Sequence, residues 1–175
     1  MQPLKRELLA CRWRFSPPRL QMLQSELVDW QKHYLPPKLD LKGKTVLDVG
    51  AGEGETAFFF LRNGAAQVTC VEVNQVLAGR LRYNAVRHPE LKVIEEPFSL
   101  NHLALKHDYL KVDVEGYEET LLTAAKELVA PAVVEVHGLQ LVDRFEAAGW
   151  RIVNPHKTSH GRSQTHCNRY AYWMC

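Results

Sequence analysis

Two short stretches of the chain combine glycines and acidic residues at spacings suited to nucleoside binding. In the first, Asp48 closes an apolar run, and Gly50, Gly52 and Gly54 follow just before a helix-like segment. Glycines allow a sharp turn, positive φ angles and a close approach of the backbone to a ligand. Glu72 closes a second apolar run, about 20 residues after the glycines, where a carboxylate can accept hydrogen bonds from ribose hydroxyls. The pattern predicts a nucleoside-binding loop.

The glycine spacing narrows the choice of nucleoside. A dinucleotide loop of the G-x-G-x-x-G type would have glycine or alanine at position 55, where this chain has Glu55. The spacing resembles that of class I S-adenosylmethionine-dependent methyltransferases, whose cofactor has no pyrophosphate. We expect exposed N–H groups of the turn to favour a polar or anionic part of the ligand. An NAD-dependent reductase is disfavoured.

The second stretch, Lys-Val-Asp-Val-Glu-Gly-Tyr-Glu at 111–118, places three carboxylates around a strand tip. Asp113 and Glu115 alternate by two and can point to the same side of a continuing strand. His137 ends the next predicted strand at the same edge of the sheet, where ligands bind in open α/β folds. Asp113, Glu115 and His137 are therefore candidate catalytic residues. His137 is expected to titrate near neutrality, or else to bond a backbone group, and Glu118 is interpreted as a first-turn acid of a helix.

Alternating apolar segments position these residues. Up to the fifth predicted strand, strand-like apolar runs alternate with segments of helical periodicity. This alternation predicts right-handed crossovers and a parallel sheet. Two further strands follow a helix and form an antiparallel hairpin, so the predicted fold is α/β and Rossmann-like, with a mostly parallel seven-stranded sheet. The predicted strands are 44–49, 67–72, 92–95, 109–114, 132–136, 150–153 and 169–174, and the predicted helices of this region are 55–62, 75–88, 117–129 and 139–148.

We expect one domain in three parts over residues 1–175. A basic arm and an amphipathic helix occupy 1–40, the cofactor-binding core spans 43–137, and a helix and hairpin occupy 138–175. Residues 1–19 carry five basic and one acidic side chain, and residues 151–175 carry four basic and none acidic. Because the net charge is only +2, the body between them is acidic. The basic ends fit an anionic substrate or RNA, or simply solvated terminal charge.

Other classes of protein fit the sequence less well. Its apolar stretches are too short to span a bilayer or to act as a signal peptide, so a cytoplasmic protein without a membrane partner is expected. Four scattered cysteines without C-x-x-C spacing indicate reduced thiols. The polar loop predicted at 154–168 contains His156, His160, His166 and Cys167 and could line an acceptor pocket, where Arg162 and Arg169 would suit an anionic acceptor. Its spacings match no compact zinc motif, so no metal is predicted.

A family resemblance adds to these observations. The 111–118 motif, followed by Leu121-Leu122 and by Val-Glu-Val-His at 134–137, resembles the FkbM-type methyltransferases over about 43–137. The resemblance implies the class I methyltransferase fold, S-adenosylmethionine as cofactor and O-methylation of sugar, polyketide or other small-molecule hydroxyls. The segment between the third and fourth predicted strands is much shorter than the family's, and this region commonly shapes the acceptor pocket.

By this resemblance and by position, each candidate residue has an expected role. The three glycines would approach the methionine part of the cofactor, and Asp48 would order the loop or bind the cofactor's amino group. Glu72 would bind the ribose, Phe98 and Ser99 the adenine, and Asp113 would lie near the methyl group. The predicted function is methyl transfer to a small hydroxylated acceptor. The alternatives are an RNA methyltransferase that uses the basic ends and a non-catalytic subunit that binds S-adenosylmethionine.

Overall fold

The computed structural model describes residues 2–35, 39–124, 131–157 and 163–169, with side chains described up to position 151. The strands are β1 (Thr45–Val49), β2 (Gln67–Val71), β3 (Leu91–Ile94), β4 (Tyr109–Val112), β5 (Ala132–His137), β6 (Arg151–Lys157) and β7 (Ser163–Arg169). The helices are α1 (Gln2–Ala10), α2 (Pro17–His33), α3 (Glu55–Arg62), α4 (Gln75–Ala85) and α5 (Leu139–Ala147). Among the described residues, 3₁₀ helices span Leu100–Ala104 and Glu118–Thr123.

All seven described strands form one sheet in the order β3-β2-β1-β4-β5-β7-β6. The first five strands are parallel to one another, as predicted. β7 lies between β5 and β6 and is antiparallel to both. The order 3-2-1-4-5 is that of doubly wound α/β folds, in which ligands bind at the carboxyl ends of the strands where the strand order reverses. Here the reversal lies between β1 and β4, which carry Asp48 and Asp113 at their ends.

The core has two layers, one on each face of the sheet. Side chains alternate between the faces along β1, so Val46 joins the layer beneath α1, α2 and α3, whereas Leu47 joins the layer beneath α5. Leu23, Leu27 and Tyr34 of the predicted N-terminal amphipathic helix are buried in the first layer. Helices on both faces explain why the parallel strands are apolar runs and not alternating ones.

Most elements confirm the predicted order, but three predictions were wrong in detail. The segment after β4 forms a 3₁₀ helix over Glu118–Thr123 where a helix of 117–129 was predicted, and residues 125–130 lie outside the described residues. β4 ends at Val112, earlier than predicted, because Glu115 (φ 54°) and Gly116 (φ 104°) turn the chain. The predicted loop 154–168 is largely strand, since β6 extends to Lys157 and β7 begins at Ser163. The side chains of its histidines and cysteine lie outside the described residues.

In the part of the chain that the structure describes, none of the helices has the length and apolar character needed to cross a bilayer.

Candidate functional site

The glycine loop between β1 and α3 passes very close to the end of β4. Gly50 has φ +72°, and a Cβ atom built on it would lie 2.7 Å from the carbonyl carbon of Asp113 and closer still to its oxygen. Gly54, at φ +96°, caps α3 and would place a Cβ atom 2.5 Å from the side chain of Leu81. Glycine is therefore required at both positions for two reasons, the left-handed backbone and the absence of space.

The N–H groups of this loop are bonded within the protein, contrary to the expectation that they face a ligand. Gly50 and Ala51 donate to the Val71 carbonyl oxygen at 2.9 and 3.2 Å, and Gly52 donates to Glu72 Oε2 at 2.8 Å. Glu53 and Glu55 are both buried at the start of α3. An acidic helix start without free N–H donors at 50–52 is poorly suited to a pyrophosphate. This geometry argues against a dinucleotide and fits a nucleoside ligand that lacks phosphate.

The two acids at the start of α3 attach the N-terminal segment to the loop. Ser16 donates to Glu53 through its backbone N–H at 2.7 Å and through its hydroxyl at 2.6 Å, and Arg80 also pairs with Glu53. Arg19 forms an ion pair with Glu55. These contacts hold the start of α2 against the glycine loop, so the N-terminal segment forms part of the wall of the site.

A buried lysine lies beneath the loop. Lys111 of β4 is opposite Asp48 of β1 in the sheet register, and its Nζ donates to the Gly50 carbonyl oxygen at 2.9 Å and lies 3.3 Å from Asp48 Oδ1. Asp48 accepts a hydrogen bond from the Thr56 hydroxyl at 2.5 Å and is fully buried. Burial alone would lower the pKa of Lys111, but the charges of Asp48 and Asp113 outweigh it and raise that pKa. The structure thus places Asp48 under the loop, in the loop-ordering position.

Glu72 stands at the tip of β2 with both oxygens directed by backbone donors. Its Oε2 accepts from Gly52 N and its Oε1 from Asn74 N, both at 2.8 Å. An ionised carboxylate offers about four lone-pair sites, so two acceptor sites remain for ligand hydroxyls. The carboxylate is already oriented before any ligand binds.

A cleft of about 270 Å³ lies at the carboxyl ends of the central strands. It is bounded by six of the residues predicted from sequence, which come from four separate segments: Gly50, Gly52, Glu72, Phe98, Asp113 and Glu115. Four other predicted residues do not line it. Asp48 lies beneath the loop, Gly54 packs on Leu81, Ser99 caps the first 3₁₀ helix, and His137 lies behind Asp113 and Glu115. The cleft is also lined by two charged residues that the sequence analysis missed, Arg19 and Glu96.

One end of the cleft is built around Phe98. Its ring is buried and stacks on His102 with 5.9 Å between ring centroids. His102 in turn bonds Glu96 at 2.7 Å through Nε2, while Ser99 N donates to its Nδ1 at 3.0 Å. The first 3₁₀ helix therefore holds an aromatic ring and a carboxylate at this end. An aromatic wall with a polar group beside it suits a flat heterocyclic base.

The other end of the cleft adjoins an acidic cluster around His137. The Nδ1 of His137 donates to Glu118 Oε1 at 2.8 Å, and its Nε2 lies 3.9 Å from one carboxylate oxygen each of Asp113, Glu115 and Glu135. Glu135, on β5, was not singled out from the sequence as a site residue. Asp113 and Glu115 line the cleft, whereas His137 lies behind them.

The cluster shifts the pKa values of its members. Burial, the largest effect, raises the pKa of Asp113 to about 6, and Glu135 adds to this while Lys111 opposes it. Burial alone would lower the pKa of His137, but the hydrogen bond and charge of Glu118 outweigh it and raise that pKa to about 9. The expectation that His137 titrates near neutrality was therefore wrong. At neutral pH the imidazole is protonated, and Asp113 is the group that can accept a proton.

Known structures share this architecture. The precorrin-6y C5,15-methyltransferase of Geobacter metallireducens GS-15 superposes with a TM-score of 0.64 and 15% identity, over 91% of this chain and 94% of that chain. Fibrillarin of Aeropyrum pernix, solved with natively bound S-adenosyl-L-methionine, superposes with a TM-score of 0.59 and 14% identity, over 81% of this chain and 74% of that chain. This is the class I methyltransferase fold.

Sequence relatives match part of the chain. The tRNA U34 carboxymethyltransferase of Pseudomonas fluorescens (strain SBW25) is 32% identical over 111 residues, which are 62% of this chain and 33% of that protein. The enzyme of the same name from Pseudomonas putida (strain GB-1) is 39% identical over 77 residues, 43% of this chain and 24% of that protein. The chain thus spans a third or less of the length of these relatives. No protein-family model matches the chain.

Proposed function

We propose that the chain is an S-adenosylmethionine-dependent methyltransferase that transfers the methyl group to a hydroxyl oxygen of a small molecule. One observation carries the proposal: the cleft joins a tight glycine loop, an oriented ribose-type carboxylate, an aromatic wall and Asp113. The methyltransferase fold and the partial similarity to tRNA carboxymethyltransferases support it. We also propose that the chain belongs to the FkbM-type methyltransferases, which the 111–118 motif supports.

The chain's own residues fit the cofactor. Glu72 keeps two acceptor sites that would bind the ribose hydroxyls, and the ring of Phe98 would contact the adenine. Gly50 and Gly52 line the cleft where the methionine part would lie, and this part carries no phosphate and needs no anion-binding N–H groups. Asp113 stands at the far end, beside the acidic cluster.

The reaction is an in-line displacement. Bound S-adenosylmethionine would supply an electrophilic methyl group on its positively charged sulfur. Asp113 would take the hydroxyl proton while the acceptor oxygen displaced the sulfur from the methyl carbon. A carboxylate with a pKa of about 6 is ionised at neutral pH yet basic enough to assist. Holding the two reactants in line in the cleft would supply much of the remaining acceleration.

RNA is the second candidate acceptor. It is favoured by the partial similarity to tRNA U34 carboxymethyltransferases and by an arginine-rich surface. On this surface Arg14 and Arg87 both lie over the ring of Tyr83, at 5.3 and 4.6 Å from its centroid. Arginines and aromatic rings are a common combination for single-stranded nucleic acids. If these arginines contacted RNA phosphates, the activity would fall steeply as the salt concentration rises.

Transfer of a labelled methyl group tests both candidates. The purified protein is incubated with labelled cofactor and either a panel of hydroxylated metabolites or total tRNA. The proposal predicts labelled small-molecule product, lowered about 100-fold or more in Asp113→Asn because general-base assistance is lost. The matched control is Glu119→Gln, which removes an exposed acid outside the cleft that pairs with Arg144.

Three results would contradict the small-molecule proposal. Labelling of tRNA alone, steeply reduced by salt and by Arg14→Gln, would establish the RNA candidate. Cofactor binding without transfer to any acceptor would favour the non-catalytic subunit. Equal activity in Asp113→Asn and the wild type would remove Asp113 from the mechanism.

A further inference from the structure

Three side chains of the acidic cluster converge on one point. Asp113, Glu135 and His137 each present one potential ligand atom, and these atoms all lie within 4.8 Å of one another. They come from the ends of two adjacent parallel strands, β4 and β5. The chain therefore brings two carboxylates and one imidazole together on a rigid edge of the sheet.

The imidazole is oriented toward this point by a carboxylate on its other side. Glu118, which is fully buried, accepts from His137 Nδ1 at 2.8 Å and from Gly116 N at 2.9 Å. His137 Nε2 is itself buried and has no hydrogen-bond partner among the described residues. Histidines that bind metals commonly donate the other ring N–H to a carboxylate in this way, which fixes the ring orientation. A metal ion bound at Nε2 would displace the proton that this nitrogen carries at neutral pH.

The distances do not fit a set of hydrogen bonds. Nε2 is 3.9 Å from the nearest oxygens of Asp113, Glu115 and Glu135, whereas hydrogen bonds of this type need about 2.7–3.2 Å. Two ligands about 2.1 Å from one metal ion lie up to about 4.2 Å apart. The distances of 3.9 Å from Nε2 to the Asp113 and Glu135 oxygens are within this limit.

We propose that Asp113, Glu135 and His137 bind one divalent first-row transition-metal ion of the Mn²⁺, Fe²⁺ or Zn²⁺ class. The imidazole favours these ions over Ca²⁺ and Mg²⁺, and two carboxylates provide the charge that a divalent cation requires. Three protein ligands leave coordination positions open for water or substrate. This site differs from the sequence-based expectation of no metal, which considered only the histidines of 154–168.

The location suggests a catalytic role for the ion, and this role rests on the proposed function. Asp113 turns Oδ1 toward His137 and Oδ2 toward Lys111, and it also lines the cleft. An acceptor hydroxyl, or two adjacent hydroxyls, could complete the coordination beside the methyl group. The ion would then lower the pKa of that hydroxyl. With the ion bound, Asp113 would act as a ligand and no longer as the base, and the hydroxyl proton would pass to Glu115 or to water.

Manganese binding tests the site independently of turnover. Chelator-treated protein is titrated with Mn²⁺ while free Mn²⁺ is measured by electron paramagnetic resonance, and Zn²⁺ and Mg²⁺ are added as competitors. We expect one ion per chain, displaced by Zn²⁺ more readily than by Mg²⁺. Glu135→Gln and His137→Gln should each weaken binding at least 10-fold, whereas Glu119→Gln should bind as the wild type does.

Several outcomes would overturn the site. These are no binding at millimolar Mn²⁺, binding that persists unchanged in both ligand variants, or preferential displacement by Mg²⁺. If circular dichroism shows that Glu135→Gln is unfolded, comparison of His137→Gln with the wild type still tests the metal site. Calorimetry with S-adenosylmethionine on the same samples separates the two proposals, because cofactor binding without Mn²⁺ binding removes only the metal site, and the reverse removes only the proposed function.

Discussion

Replacing Gly50 with alanine tests the close approach of the glycine loop to β4. Gly50 has φ +72°, and its Cβ position overlaps the carbonyl group of Asp113. Gly43 offers a matched control, because it has φ +73° but nothing lies within 4 Å of its Cβ position. The two alanine variants therefore share the cost of the left-handed backbone and differ in the steric overlap.

The magnitudes of the two effects are separable. The left-handed conformation costs a residue with a Cβ atom about 1–2 kcal/mol, which is the whole effect expected for Gly43→Ala. Gly50→Ala should add the cost of forcing β1 and β4 apart, about 1–3 kcal/mol, for a total loss of about 2–5 kcal/mol. Urea unfolding followed by circular dichroism measures both free energies. Equal destabilisation of the two variants would refute the assignment of a close approach at Gly50.

Two further predictions concern the charges around the loop. Lys111→Met should destabilise the protein by about 3–5 kcal/mol, because it leaves Asp48 buried and unpaired, and the double variant with Asp48→Asn should recover much of the loss; additive losses in urea unfolding would contradict this. Burial raises the pKa of Glu53, but hydrogen bonds from Ser16 and Arg80 outweigh it and hold that pKa below 4.5. Ionised Glu53 thus stabilises the fold above pH 4.5, and this stability is lost as the pH falls further. The difference in melting temperature between the wild type and Glu53→Gln should therefore shrink below pH 4.5, and a constant difference would contradict the proposed pairing.

Local features of the sequence predicted much of the cofactor side of the fold. The helix at 55–62 was predicted at its observed limits, because a glycine turn precedes it and Asn63-Gly64 ends it with a left-handed glycine. Glu72 was predicted at the tip of β2, and it stands there next to the loop. These features depend on residues close together in the chain, which local patterns describe well.

The acidic side of the site depends on contacts between distant residues. Glu118 was interpreted as a helix-dipole acid, but it bonds His137, 19 residues away at the end of β5, and raises the pKa of that residue. Lys111 was overlooked because its role comes from Asp48 on the neighbouring strand. The loop prediction at 154–168 was wrong for a similar reason: β6 and β7 are largely polar, and their strand structure comes from pairing with each other and with β5. The strand predicted at 169–174 lies outside the described residues except for Arg169.

Calorimetric titration with S-adenosylmethionine and with NAD tests the central claim about the cleft most directly. We predict binding of S-adenosylmethionine alone, weakened about 10- to 100-fold in Glu72→Ala through loss of charged hydrogen bonds to the ribose. Glu119→Ala, outside the cleft, should bind as the wild type does. Binding of NAD, or binding of S-adenosylmethionine that Glu72→Ala leaves unchanged, would contradict the assignment of this cleft.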